Sequence, residues 1–442
     1  MTADPGLQAN VTPRIGLLVI AREWARIGIT GFGGPPAHIA LLRKLCVQRN
    51  QWLSATEFED GVAATSLLPG PASTQLAIYC AWRLAGPLGA IVGGACFIVP
   101  GLIIILALSV LFLAKSPPDW VTGAAAGAGA AVPAVALSAA IGLAPASWRR
   151  ANPTRSGAAD GADRLSRAVN GAAVRWLAYV VAGGVAANLA GPYLVAVLLG
   201  CGLCEWIAIG RPSPGRASAD QATADRASAG RDGTGRNGAG RNGAGRNGAG
   251  SGRGAVLVPL AAKAVTAGVL GSVVWVAIKV GALSFGGGFV IIPLMQHDAV
   301  HTYHWMTTTQ FLSAVALGQV TPGPVVQTVA VVGYAAAGLA GGLLAAAVAF
   351  APSFVFVLAG GPHFDRFRRN SAAQAFLAGS GPAAIGAIAG AAVTLGFGLT
   401  HLWQVVVLAG AIGWLILLRR GVVSAILASA GIGVIIALAG LG

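Results

Sequence analysis

The chain reads as an all-α polytopic membrane protein made of two homologous helical repeats, inverted relative to each other and carrying proline-broken half-helices. Three observations lead there. Hydrophobic residues fill 55% of the 442 positions and charged residues only 10%, with a mean hydropathy of +0.73, whereas a soluble domain carries roughly 25% charge. The same landmarks recur in both halves in one register. Equivalent loops of the two halves carry opposite charge bias.

Met1 to Pro13 lack the cationic stretch, apolar core and small-residue cleavage site of a signal peptide, so the first apolar segment is expected to act as its own insertion signal. Gly86 to Ala114 carries no charge until Lys115 and is long enough to cross a hydrocarbon core about 30 Å thick. Further apolar stretches run from Trp120 to Ala144, Trp176 to Ala190, Tyr193 to Ile209, Val256 to Phe285, Phe311 to Gly361, Ala372 to Gly398, Leu402 to Leu418 and Val422 to Leu441. They predict roughly ten to thirteen helices, the spread coming from segments that are broken. Such spans leave no room for a separate soluble catalytic domain.

The net charge of +15 raises nucleic acid as a partner, but the arginines sit in loops. Arg149, Arg150, Arg155, Arg164, Arg167 and Arg175 mark a loop over 145–175, and Arg211 to Arg253 marks another. Both read as cytoplasmic under the positive-inside rule. No aromatic or recognition element is interleaved with them, so nucleic acid is not an expected partner. The stretch 211–254 repeats Gly-Arg-Asn-Gly-Ala around Arg236, Arg241 and Arg246 without a core-forming residue and reads as a flexible linker. It separates a first repeat, 1–210, from a second, 255–442.

Across the linker Phe32-Gly33-Gly34 matches Phe285-Gly286-Gly287, Trp52 matches Trp305, Phe58 matches Phe311, and Pro69-Gly70-Pro71 matches Pro322-Gly323-Pro324. After a one-residue gap Gly86 matches Gly338 and Pro100 matches Pro352. A register held through separate landmarks is the mark of duplication. Arg43, Lys44 and Arg49 follow the first Phe-Gly-Gly motif, whereas Gln296 to His304 has no Lys or Arg; one loop later Lys115 stands alone against Arg366, Arg368 and Arg369. This reversal predicts inverted copies, with Arg43–Arg49 and Arg366–Arg369 both cytoplasmic. An odd number of crossings must then separate Arg49 from Lys115. The stretch around Pro69-Gly70-Pro71 is therefore expected to be a broken or re-entrant hairpin.

A Pro-Gly-Pro in an apolar segment removes two backbone donors and leaves N–H and C=O groups that lipid cannot satisfy, so it must line protein or a wet cavity. Pro71 and Pro324 are each expected to open a half-helix whose N-terminus, with free N–H groups and a partial positive charge, suits an anion. Thr74 and Gln75, with Gln327 and Thr328, fall in the first turn and supply uncharged donors. The competing reading makes both motifs packing kinks. The Phe-Gly-Gly motifs admit close approach of a ligand or of another helix. Six residues ahead of each stands a cation, Arg26 and Lys279. Lys279 lies in an apolar stretch and is either functional or snorkelling to the interface; Arg22 and Glu23 make the helix of Arg26 amphipathic, which favours a surface role.

Glu57, Glu59 and Asp60 precede the first break, and Asp60 is the candidate for proton coupling, its match in the second half being Ser313. His38 follows the first Phe-Gly-Gly and reads as a local hydrogen-bonding residue. His297, His301 and His304 fall at i, i+4 and i+7; a zinc site is conceivable, a solvated polar cluster the simpler reading. Cys201-Gly-Leu-Cys204 lies in an apolar helix and reads as packing rather than redox chemistry. No phosphate loop, paired catalytic carboxylates or activated nucleophile occurs, so neither ATP hydrolysis nor an enzyme is expected, and no cofactor.

The segments Phe32-Gly33-Gly34-Pro35-Pro36-Ala37-His38-Ile39-Ala40, Trp52-Leu53, Glu57-Phe58, Leu68-Pro69-Gly70-Pro71, Thr74-Gln75 and Phe97-Ile98-Val99-Pro100-Gly101 resemble the signature of the chromate ion transporter family. Ser284-Phe285-Gly286-Gly287-Gly288 and Thr321-Pro322-Gly323-Pro324 resemble its second-half counterparts. The resemblance covers both halves and not the linker, which is unusually long and Arg-rich. It implies the long, two-domain form: a multi-pass carrier of the bacterial inner membrane that extrudes chromate, with sulfate as the structural analogue. Transport direction, coupling ion and oligomeric state stay open at this stage.

Overall fold

The computed structural model describes residues 15–66, 68–114, 116–151, 162–189, 193–209, 257–284, 289–361 and 370–441. The linker, Lys115, Phe285-Gly286-Gly287 and Arg366, Arg368 and Arg369 lie outside them. Among the described residues the fold is helical throughout, without a strand. The first half holds α1 (Leu17–Thr30), α2 (Pro35–Arg43) running into a π-helical turn (Lys44–Arg49), α3 (Ala55–Thr65), α4 (Ala72–Phe112), α5 (Asp119–Ala151), α6 (Ala162–Leu189) and α7 (Leu194–Ile209). The second holds α8 (Leu257–Leu283), α9 (Ile291–Gln296) with a π-helical turn (His297–Thr302), α10 (Thr308–Val320), a 3₁₀ turn (Val325–Gln327) leading into α11 (Thr328–Gly360), α12 (Ser371–Phe397), α13 (Leu402–Ile412) and α14 (Val422–Leu438). Four are long and apolar enough to cross a membrane: α4, α5, α12, and α11 with its leading turn. Fourteen α-helices occur among the described residues, several of them too short to span. The expected loop over 145–175 is also corrected: 145–151 closes α5 and 162–175 opens α6, since alanine-rich chain continues as helix past the apolar boundary.

The two longest helices each contain a reversal. Ala85 (φ −144°, ψ 22°) and Gly86 (φ 65°, ψ −157°) interrupt α4, and Ala337 (φ −146°, ψ 30°) and Gly338 (φ 61°, ψ −153°) interrupt α11 with nearly the same angles. The positive φ with extended ψ is open essentially to glycine alone. Beyond the turn α4 doubles back, Gly93 lying against Ala81 and Gly94 against Ile78, pairs that a straight helix would hold roughly 18 to 24 Å apart. In α11 Gly342 lies against Ala330 in the same way. Only the later segments, 87–112 and 339–360, reach across: about 39 and 33 Å at 1.5 Å per residue.

Several shorter elements fall short of the thickness of a hydrocarbon core. At 11 residues α3 is about 16 Å long, half the core thickness. It runs antiparallel to the first segment of α4, with Gly61 against Leu76 and Tyr79 and with Glu57 paired to Arg83 at the open end. Pro69-Gly70-Pro71 forms the tip between α3 and α4. Helix α1 runs alongside. Ile15 N–H donates to the Leu84 carbonyl (3.2 Å) near the reversal, and Trp24 Nε1 donates to the Ala77 carbonyl (2.8 Å) halfway to the tip. The chain turns at Gly31–Gly34, and α2 returns to the open end, where Arg43 Nη2 meets Glu59 Oε1 at 3.0 Å. Two half-depth hairpins thus open on one face and end in the interior. Local chemistry sets each start: a capping box at Ser54 and Glu57 begins α3, and another at Thr307 and Gln310 begins α10.

Tertiary packing then exchanges elements between the halves. Helix α5 packs against α10, α13 and α14 of the second half, while α12 packs against α6 and α7 of the first. Small residues make these crossings close, Gly123 and Gly127 lying on Gly433, and Gly183 and Gly386 lying on Ala383 and Val180. Trp24, Phe58, Phe97 and Phe311 are fully buried and fill the space between the hairpins.

Candidate functional site

Each Pro-Gly-Pro ends one helix and begins another. Pro71 (φ −72°, ψ 100°) stands immediately before α4 and Pro324 (φ −67°, ψ 133°) immediately before the turn into α11, each in the capping position. The intervening Gly70 and Gly323 have φ of 120° and 108°, so the chain changes direction between two rings that fix φ. Two helix N-termini, with their unpaired N–H groups, consequently end inside the protein.

The structure brings these tips together across the halves. Gly323 N–H donates to the carbonyl of Gly31 (3.2 Å), just ahead of the first Phe-Gly-Gly. Gln327 Nε2 donates to the carbonyl of Ile98 (2.8 Å) on α4. Gly101 lies so close to the Pro322 carbonyl that a Cβ would overlap it, and a Cβ on Gly70 would lie 3.3 Å from the hydroxyl of Ser353 on α11. Gly101 and Ser353 each follow the matched prolines Pro100 and Pro352, so each half's tip rests on the equivalent step of the other half's helix. His38 holds the first pair of tips: Nε2–H donates to the Gly31 carbonyl (2.9 Å), Nδ1 accepts from the Ser73 hydroxyl (3.3 Å), and the ring stands edge-on to Phe97 at 5.0 Å.

Polar side chains at the crossing are buried and incompletely partnered. Thr74, Gln75, Gln327 and Thr328 are all at most 2% exposed. Gln75 Nε2 donates to the Pro69 carbonyl (2.6 Å) and Thr328 Oγ1 to the Val325 carbonyl (2.8 Å). Thr74 Oγ1, Gln75 Oε1, Gln327 Oε1, Ser284 Oγ, Gln319 Nε2 and Ser353 Oγ have no hydrogen-bond partner. Each such atom costs about 1–3 kcal/mol when left dry. Thr74, Gln75 and Gln327 lie in the first turns after the breaks and Ser353 lies beside Gly70, where a polar solute or water would satisfy them.

Not every sequence candidate joins this cluster. Pro69, Gly70, Pro71, Pro322, Gly323 and Pro324 form the tips, and Gly34 lies beside Val325. Phe32 is 46% exposed and Gly33 is exposed, at the open side of the turn. Arg26 faces outward on the exposed side of α1, opposite Trp24 and Ile27. The Lys279 ammonium pairs with buried Asp298 and lies 5.5 Å from the Trp275 ring centre. Asp60 is half-buried on α3. His301 and His304 are exposed, His304 Nδ1 is engaged by the Val300 carbonyl (2.8 Å), and no group of three metal-ligating side chains occurs among the described residues. Cys201 is buried and Cys204 exposed, both as thiols. Sequence reasoning read His38 as a hydrogen-bonding residue without its partners, and missed Ser353 and the pairing of Lys279 with Asp298. The Gly31 and Ser73 partners of His38 and the Asp298 partner of Lys279 come from other turns of the chain, and no spacing announces them.

Interior helix N-termini and buried unpartnered hydroxyl and amide groups thus occur within a helical, multi-pass membrane architecture. The chain belongs to the chromate transporter family, whose model matches residues 18–206 and 271–437. Among curated relatives, the chromate transport protein of Cupriavidus metallidurans is 28% identical over 87% of this chain and 84% of its own length. The probable chromate transport protein of Synechococcus elongatus is 28% identical over 88% and 86%. The chromate transport protein of Pseudomonas aeruginosa is 26% identical over 93% and 95%. No solved structure matches the chain at a significant level.

Proposed function

We propose that this chain is a secondary carrier that exports chromate across the bacterial inner membrane, conferring chromate resistance, with the oxyanion held where the two proline-broken tips cross. The observation that carries the reading is the pair of unpartnered buried hydroxyls, Thr74 Oγ1 in the first turn after Pro71 and Ser353 Oγ beside Gly70, next to two interior helix N-termini. These are uncharged donors, and an oxyanion is an acceptor on all four corners. Relatives named for chromate transport support the cargo. Alternating access follows from the crossing: separating the tips on one face while they stay closed on the other opens the site to each side in turn. Sulfate, also a tetrahedral dianion, is the competing cargo. Inside-out vesicles containing the protein should take up labelled chromate under an imposed proton gradient, with excess sulfate competing weakly. Uptake of sulfate in preference to chromate would reassign the cargo, and uptake of neither would remove the carrier reading. Asp60 is assigned to proton coupling; Asp60→Asn should retain chromate exchange and lose gradient-driven accumulation.

We further infer that the two halves are inverted in the membrane. Two contacts with α12 support this. Phe58 and Glu59, near the open end of the first hairpin, line one cavity with Gln374 at the start of α12, whereas Thr308, at the open end of the second, lies against Gly398 just past its end. Ser54→Cys and Thr307→Cys, each in a chain stripped of its native cysteines, should react with an impermeant maleimide from opposite sides. Labelling of both from one side would rule out inversion.

A further inference from the structure

We propose that the cavity on the arginine-bearing face is a capture vestibule for the doubly charged oxyanion, with Arg149 and Arg150 as its binding groups and Arg43 as their support. The proposal rests on the carrier reading above and adds to it a second, charged station. The cavity has a volume of about 650 Å³ and lies between α2, α3, α5 and α12. Its polar lining is Arg43, Glu59, Ser66, Arg149, Arg150 and Gln374, and the remaining wall is apolar.

Charge selects the ligand. Glu59 is engaged by Arg43 at 3.0 Å, which uses one positive charge against the single carboxylate in the lining. Among the described residues neither Arg149 nor Arg150 pairs with a carboxylate; Arg149 Nε donates to the Pro145 carbonyl at 3.3 Å, which leaves its terminal nitrogens for a ligand. Two guanidinium groups remain for a ligand of two negative charges, and guanidinium offers paired donors that match two oxygens of a tetrahedral anion.

Position gives the cavity its use. The α3 wall runs inward from Glu59 to Ser66, and Ser66 is three residues from Pro69, within about 10 Å of chain. An anion leaving the arginines therefore meets the uncharged donors of the crossing next. The arginines make this face cytoplasmic under the positive-inside rule, which is the loading side for an exporter. At the matching positions of the second half Gln296 and Leu312 stand in place of Arg43 and Glu59. Capture on one face alone gives the carrier different apparent affinities on its two sides.

The same chemistry would also hold the phosphate of an anionic lipid, and the test separates the two. The full chain is reconstituted in vesicles of neutral phosphatidylcholine, with and without added phosphatidylglycerol, and chromate uptake is measured for molecules of either orientation. Arg149→Gln/Arg150→Gln should raise the KM for loading from the arginine face by about a hundred-fold, the loss of two charge-assisted contacts at about ten-fold each, and leave the maximal rate and the opposite-face KM unchanged. Arg149→Lys/Arg150→Lys should recover part of the affinity. A wild-type KM in the Gln variant overturns the vestibule while the carrier reading stands. Equal loss from both faces, or an effect present only with phosphatidylglycerol, also overturns it, the first as a structural role and the second as lipid binding. Absence of chromate transport by the unmodified protein removes the carrier reading and the vestibule with it.

Discussion

A single missing methyl group at Gly101 lets the two halves touch. Any side chain there would overlap the carbonyl of Pro322 and push away the tip that Gln327 ties to Ile98. Gly101→Ala should therefore destabilise the protein by about 1–3 kcal/mol, as overpacking of a tight interior does, and abolish transport, whereas Gly200→Ala, with open space around it, should do neither. Thermal unfolding in detergent alongside vesicle uptake checks both. Lys279 and Asp298 form a second residue-scale test, because their side chains are only 14% and 5% exposed. Removing one partner strands a buried charge and should cost about 3–5 kcal/mol. Lys279→Met together with Asp298→Leu should recover most of that, and a double variant as unstable as the singles would show that the pair is not a mutual neutralisation. The position matching Asp298 in the first half is Leu45, so this pair distinguishes the halves. Gln327 was legible as a candidate donor from its place after a break, but its partner Ile98, 229 residues away in sequence, was not.

Among the elements, the hairpin ends matter more than the helices. Pro-Gly-Pro breaks, capping boxes and apolar length are local signals, and the half-helices they predict are present where the residues stand. The reversal at Ala85–Gly86 and Ala337–Gly338 was not read from the sequence, because a lone glycine in an apolar run looks like a packing residue; only Pro87, directly after Gly86, hinted at a new helix start. Since nothing surrounds Gly86, a side chain there meets strain from the backbone alone. Gly86→Ala should cost about 1–3 kcal/mol without a steric clash, and the same loss should follow from Gly338→Ala. Chemical denaturation of each variant in detergent tests this; an unchanged midpoint would mean that the turn relaxes without cost. The π-helical turns at Lys44–Arg49 and His297–Thr302 also escaped the sequence reading. They put His304 (φ 51°) beyond the helix, as Gln51 (φ 49°) lies in the first half, which breaks the i, i+4, i+7 face of the three histidines.

At the scale of the whole molecule, the division into two repeats does not divide the packing. Helix α12 buries one face against α6 and α7, and α5 one face against α14, so each half lacks walls that the other supplies. Fragments 1–254 and 255–442 should each be degraded when made alone and should co-purify when made together, with the linker cut. Stable accumulation of either fragment alone would refute the interlock.

The sequence by itself determined that this is a membrane protein, where its Pro-Gly-Pro motifs break the helices, and which motifs recur in both halves. These follow from side-chain hydrophobicity and from the backbone limits of proline and glycine, which act within a few residues. Only the tertiary structure decided which breaks meet. The approach of Pro322 to Gly101, the bond from Gly323 to Gly31, the pairing of Lys279 with Asp298 and the gathering of Arg43, Arg149 and Arg150 around one cavity join segments far apart in the chain. Such contacts depend on how closely small-residue helix faces pack, and that is a property of both partners at once.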